Sequence, residues 1–77
     1  MDTNISNFYK IIANNVKRIR KEKGYTQLDL ALEIDISSVA FYSNCENLRY
    51  NKHFNLEHLY KLSKVLDVDI CEFFKGI

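Results

Sequence analysis

The sequence predicts an all-α domain, on three observations. It contains no proline and only two glycines, Gly24 and Gly76, so the punctuation of a strand-and-turn protein is missing. Its apolar residues recur at spacings of three and four, the period of one face of a helix. Polar residues able to cap a helix (Thr26, Asn55 and Asp69) stand directly ahead of later apolar runs.

The first helix is expected from about Ser6 or Asn7 to about Lys23, with residues 1–6 as a short tail. Phe8, Ile12, Val16 and Ile19 make its inward stripe, and Lys17, Arg18, Lys21 and Glu22 lie off it. Gly24 then stops the helix, because glycine accepts a left-handed backbone without steric cost. At the second helix Thr26 caps, Asp29 occupies the third position and Tyr25 packs on Leu30. At the fourth Asn55 caps and Phe54 packs on Leu59. At the fifth Asp69 caps, Glu72 is third and Val68 packs on Phe73. Each start joins a polar cap to a hydrophobic staple. The plan is five helices, roughly 7–23, 27–34, 38–46, 56–66 and 70–75. Leu56, Leu59, Leu62 and Leu66 face inward from the fourth, with Ser63 small enough for close approach, and Phe73 and Phe74 close the fifth. The longest irregular stretch, Asn47 to Phe54, is polar and partly basic.

Composition narrows what such a domain does. Seventy-seven residues, 47% hydrophobic and 27% charged, make one globular domain, 1–77, without room for a separate catalytic or effector domain. So small a core usually supplies only about 3–5 kcal/mol, which makes oligomerisation a reasonable expectation. The net charge of +1 argues against a nonspecific polycation while leaving room for a local basic face. Cys45 and Cys71 belong to no metal-binding motif and read as small core residues of a reduced protein. His53 and His58 have no second ligand at metal spacing, and Ser43 has no base positioned by a third group. The expectation is therefore no enzyme, no metal, no cofactor and no small-molecule ligand. No apolar run reaches bilayer length, and Met1-Asp2-Thr3-Asn4 lacks the basic and apolar regions of a leader, so a cytoplasmic protein is expected.

The informative stretch runs from Thr26 to Glu46. Ala31 is small enough to let two short helices cross closely, Leu30 and Ile34 flank it as core contacts, and Asp35 suits a left-handed turn position. The sequence here resembles the Cro and phage-repressor family of helix-turn-helix DNA-binding proteins. The resemblance rests on Arg18-Ile19-Arg20-Lys21-Glu22-Lys23-Gly24-Tyr25-Thr26-Gln27, then Leu30-Ala31, Ser43 and Glu46. Leu59, Leu62, Leu66-Asp67-Val68-Asp69 and Phe73-Phe74 extend it, so that it covers about residues 11 to 75.

The resemblance implies a lambda-repressor-like domain whose helix-turn-helix spans about 26–46. It places Thr26 and Gln27 at the start of the second helix, where Gln27 would donate to a DNA phosphate alongside main-chain amides. It implies an internal ion pair between Arg20 and Glu46, and base contacts from the start of the recognition helix. Two registers fit that helix. A cap at Ser37 lets Ile36 staple Phe41 but puts Cys45 where the paired acid belongs. A cap at Ser38 restores Ser43 and Glu46 to their family positions and buries Tyr42 with Cys45, and is preferred. Val39, Ala40, Ser43 and Asn44 then face the groove, with Ser37 and Ser38 near the backbone.

These are short side chains. Asn44 suits adenine, Val39 or Ala40 a thymine methyl, so readout is expected to be thin and to favour A·T-containing sites. Arg49 and Lys52, in the loop beyond, are expected to reach the DNA backbone together with Tyr50, Asn51 and His53. The partners implied are a palindromic double-stranded DNA operator and a second copy of the chain. The competing reading, favoured by the short side chains and near-zero net charge, is a protein-interaction module, antitoxin-like or a regulatory partner, on the same fold.

Overall fold

The computed structural model describes residues 3–77. Among the described residues there are four α-helices, α1 (Thr3–Glu22), α2 (Gln27–Glu33), α3 (Val39–Asn47) and α4 (Leu56–Leu66), and no strand. Two 3-10 segments, Arg49–Asn51 and Ile70–Phe74, complete the order. The core gathers Val16 from α1, Leu30 and Ile34 from α2 and its end, and Tyr42 and Cys45 from α3. Leu62 and Leu66 of α4 and Phe73 of the closing segment complete it, all buried.

α1 starts at Thr3, so residues 3–6 are helical rather than part of a tail. Packing overrides the capping preference of Ser6 and Asn7 there. Tyr9 stacks on His53 with ring centroids 3.9 Å apart, and Phe8 lies 6.5 Å from Phe74. Phe8 itself stays exposed, because the helix overshoots the core, which begins at Ile12. Asn15 anchors the same helix to the end of the chain by donating to the carbonyls of Phe73 and Lys75, each at 2.9 Å. At the other end Gly24, at φ 83°, lets the Tyr25 N–H turn back to the Arg20 carbonyl.

α2 opens on a reciprocal cap. Thr26 Oγ1 accepts from the Asp29 N–H, and Asp29 Oδ2 accepts from the Thr26 N–H, both at 3.0 Å. That main-chain donor holds the Asp29 carboxyl below its usual range. Asp35 turns the chain with φ 61°, after which the Ile36 N–H reaches the Ala31 carbonyl at 2.9 Å. Ala31 is buried on α2, which packs against α3. Ser38, not Ser37, caps α3 by accepting from the Phe41 N–H, which selects the register ending in Glu46.

Four details depart from the sequence reading. Leu56 lies 75% exposed, because Phe54 and Leu59 already fill the core beneath the first turn of α4. The cap of α4 includes His58: Asn55 Oδ1 accepts from the His58 N–H, and the Asn55 N–H donates to His58 Nδ1. The closing segment is a 3-10 helix over 70–74 rather than an α-helix over 70–75. Its tighter winding brings the Cys71 N–H to Asp69 at 2.8 Å, so Glu72 completes no cap and pairs with Lys75 instead. Cys71 is consequently exposed, whereas Cys45 is buried and its thiol is pushed up to about 11 by desolvation.

Candidate nucleic-acid interface

The ends of three helices are clamped by one side chain. Arg20, in the last turn of α1, donates from Nε to Glu46 Oε2 and from Nη2 to Glu46 Oε1, each at 3.0 Å. Its Nη1 donates to the Tyr25 carbonyl at 2.9 Å, and Gln27 Nε2 reaches Glu46 Oε1 at 3.3 Å. The two charged side chains are 9% and 0% exposed, a two-pronged pair sealed from water. Glu46 holds the guanidinium above its already high usual pKa, so Arg20 stays charged. Arg20, Gln27 and Glu46 thereby lock the direction of α3 against α2 and α1.

Tyr42 lies inside the same region. Its ring packs 5.3 Å from that of Phe54, and its hydroxyl is buried beside Glu46 without a hydrogen bond of good geometry among the described residues. Removing a buried, unpaired hydroxyl costs little. Tyr42→Phe should unfold in urea within about 1 kcal/mol of the parent protein, or above it. A loss of several kcal/mol would show that the phenol is bonded.

With its far end locked, α3 offers its near end to solvent. Ser37, Ser38, Val39 and Ala40 are exposed, Val39 at 43%, while Tyr42, Cys45 and Glu46 are buried. Ser38 Oγ uses a lone pair on its own helix and keeps its O–H to donate. Ser43 and Asn44 follow on the open side, both half-buried. Asn44 has no side-chain hydrogen bond among the described residues, leaving a donor and an acceptor free for a base edge. Ser43 is engaged: Asn47 Nδ2 donates to its carbonyl at 2.9 Å and to its hydroxyl oxygen at 3.3 Å, and Lys17 Nζ donates to Asn47 Oδ1 at 3.0 Å.

The remaining sequence candidates flank this end. Thr26 is exposed at the N-terminus of α2. Gln27 beside it is half-buried, its amide turned toward Glu46 rather than outward. Arg49 and Lys52 are exposed in the segment after α3. That segment is backbone-strained, with Leu48, Tyr50 and Asn51 at φ 56°, 56° and 59°, a region that costs non-glycine residues about 1–2 kcal/mol each. Asparagine at position 51 hints at such a bend, but Leu48 and Tyr50 carry no signal for it. Lys17 and Asn47 were also invisible in the sequence, since their link spans two helices. Arg18 pairs with Glu22 at 3.2 Å along α1.

A short helix, a tight left-handed turn and a second helix with a free N-terminal turn define a helix-turn-helix DNA-binding protein. The chain belongs to the helix-turn-helix family, of the Cro and phage-repressor type, whose family model matches residues 16–73. The family is one of non-catalytic DNA-binding regulators. No curated protein and no solved structure matches the chain.

Proposed function

We propose that the chain is a sequence-specific, repressor-like transcriptional regulator that binds double-stranded DNA as a homodimer in the cytoplasm. The observation that carries this reading is the exposure of Ser37 to Ala40 ahead of a helix whose opposite end is buried and locked by Arg20. Ile70–Phe74 stands in this reading as the fifth helix of a lambda-repressor-like domain. Two copies would set their recognition helices about 34 Å apart, one turn of B-DNA, on a two-fold-symmetric operator.

In that arrangement α3 enters the major groove with Val39, Ala40, Ser43 and Asn44 toward base edges. Asn44 pairs with adenine, and Val39 or Ala40 lies against a thymine methyl. The Thr26 hydroxyl and the Gln27 N–H, together with Ser37, Ser38, Arg49 and Lys52, meet phosphates and set the register. Because the groove-facing residues are short, DNA shape supplies much of the preference.

Selection of bound sequences from a random duplex pool tests the reading. The pool should converge on a two-fold, A·T-containing site. Asn44→Ala should lose about 1–3 kcal/mol of discrimination at one adenine per half-site. Gln27→Ala, which removes a donor to Glu46 and so loosens the hold on α3, should weaken all duplexes alike. An unchanged selected sequence with Asn44→Ala would remove Asn44 from the readout.

A second reading is favoured by α2, whose outer face exposes Leu28 and Leu32 one turn apart, at 53% and 68%. On that reading the fold is a protein-interaction module, and the pool would yield no preferred site.

A further inference from the structure

His58 joins the two helix starts that matter most for holding α3. Its Nδ1 accepts the Asn55 N–H at 3.1 Å, so that nitrogen must be unprotonated for the cap of α4 to close. Its ring also stands edge-on to Phe54 at 6.1 Å and to Phe41 at 6.2 Å. Phe41 belongs to the first turn of α3, and its own N–H closes the Ser38 cap. Asp35, Ile36, Ser37, Phe41 and His58 line one shallow depression beside that cap.

We propose that His58 is a pH-sensitive latch: neutral, it caps α4 and seats Phe41; protonated, it releases both and loosens the exposed first turn of α3. The proton would turn Nδ1 from acceptor into donor, setting two N–H groups against each other. It would also place a positive charge at a helix N-terminus, where the peptide dipoles oppose it.

The surrounding charges do not rescue the imidazolium. Glu57, its neighbour on α4, pairs with Lys61 at 3.0 Å, and Asp35, from the turn before α3, lies 3.8 Å from the same Lys61. Glu57 favours the imidazolium, but the lysine it shares with Asp35 repels a second cation, and His53, from the preceding loop, acts in the same direction as that lysine. Partial burial acts in the same direction, and the His58 pKa lies below its ordinary 6.5. The sign follows: the unfolded chain takes up the proton first. The contribution to stability is complete above 6.5 and is lost as pH falls from there through the lower folded value.

An NMR titration of the free protein from about pH 8 to about pH 5 tests this without DNA, and so independently of the regulator reading. The His58 ring should titrate with a midpoint below 6.5, and the Asn55 and Phe41 amides should shift with that same midpoint. Each unit of depression should appear in urea unfolding as an about tenfold fall in the folded-to-unfolded ratio across the transition. His58→Gln, which retains a side chain suited to the capping box, should remove that fall, whereas His53→Gln should retain it. A ring midpoint at or above 6.5, a Phe41 amide that does not follow the ring, or an equal fall in His58→Gln would overturn the latch.

Discussion

Arg20→Met should cost about 3–5 kcal/mol of folding stability, because it leaves the Glu46 carboxylate buried without its partner. For a domain of this length total stability is on the order of 4–12 kcal/mol, so the single variant should lose a large share of it. Adding Glu46→Leu removes the orphaned charge along with its partner. The double variant should recover most of the loss, since an apolar pair replaces a buried ion pair at little net cost. Circular dichroism with urea titration measures both. Equal losses in the single and double variants would show that the pair is not what the core depends on. The double variant should also separate stability from presentation. It folds without the two-pronged link that fixes α3, and should bind DNA less well than its stability suggests.

Lowering salt should strengthen DNA binding steeply. In the proposed dimer each protomer offers the hydroxyls of Thr26, Ser37 and Ser38, the N–H of Gln27, and the side chains of Arg49 and Lys52. Doubled by a second copy, the positive charges and dipoles suit several phosphates. Raising salt from about 50 mM to about 200 mM should then reduce affinity by about a hundredfold, for four phosphates neutralised by the two copies. Arg49→Ala and Lys52→Ala should each make the salt slope shallower by about one to two for a dimer. Fluorescence anisotropy of a labelled duplex reads the slope directly. A flat response, or millimolar affinity even in low salt, would transfer support to the protein-interaction module.

Local chemistry made much of this fold legible before any coordinates. Thr26 with Asp29, and Asn55 ahead of an apolar run, mark helix starts through bonds made within one turn, so spacing alone reveals them. Gly24 and Asp35 likewise mark bends by backbone tolerance, and the family pattern placed Arg20 opposite Glu46. The misses share a different origin. Leu56 follows the inward spacing of α4 yet lies beyond the edge of the core, and only tertiary packing decides where a core ends. The early start of α1 depends on Phe74 and His53, distant in sequence. The His58 cap escaped because histidine is an uncommon third-position residue, and the Lys17 to Asn47 link because it crosses between helices. For the residues proposed to face DNA, spacing identified which of them stand at the open end of α3. It did not reveal that Ser43 is already occupied or that Gln27 turns inward.

The bonds from Asn15 to Phe73 and Lys75, with Phe8 near Phe74, make one unit of the two extremities of the molecule. Fraying there should be cooperative, because the opening turns of α1 share their contacts with the closing aromatic segment, whose Phe73 belongs to the buried core. The thirteen residues from Thr3 to Asn15, which precede the family match, therefore act as a brace that ties the start of α1 to the closing 3-10 segment.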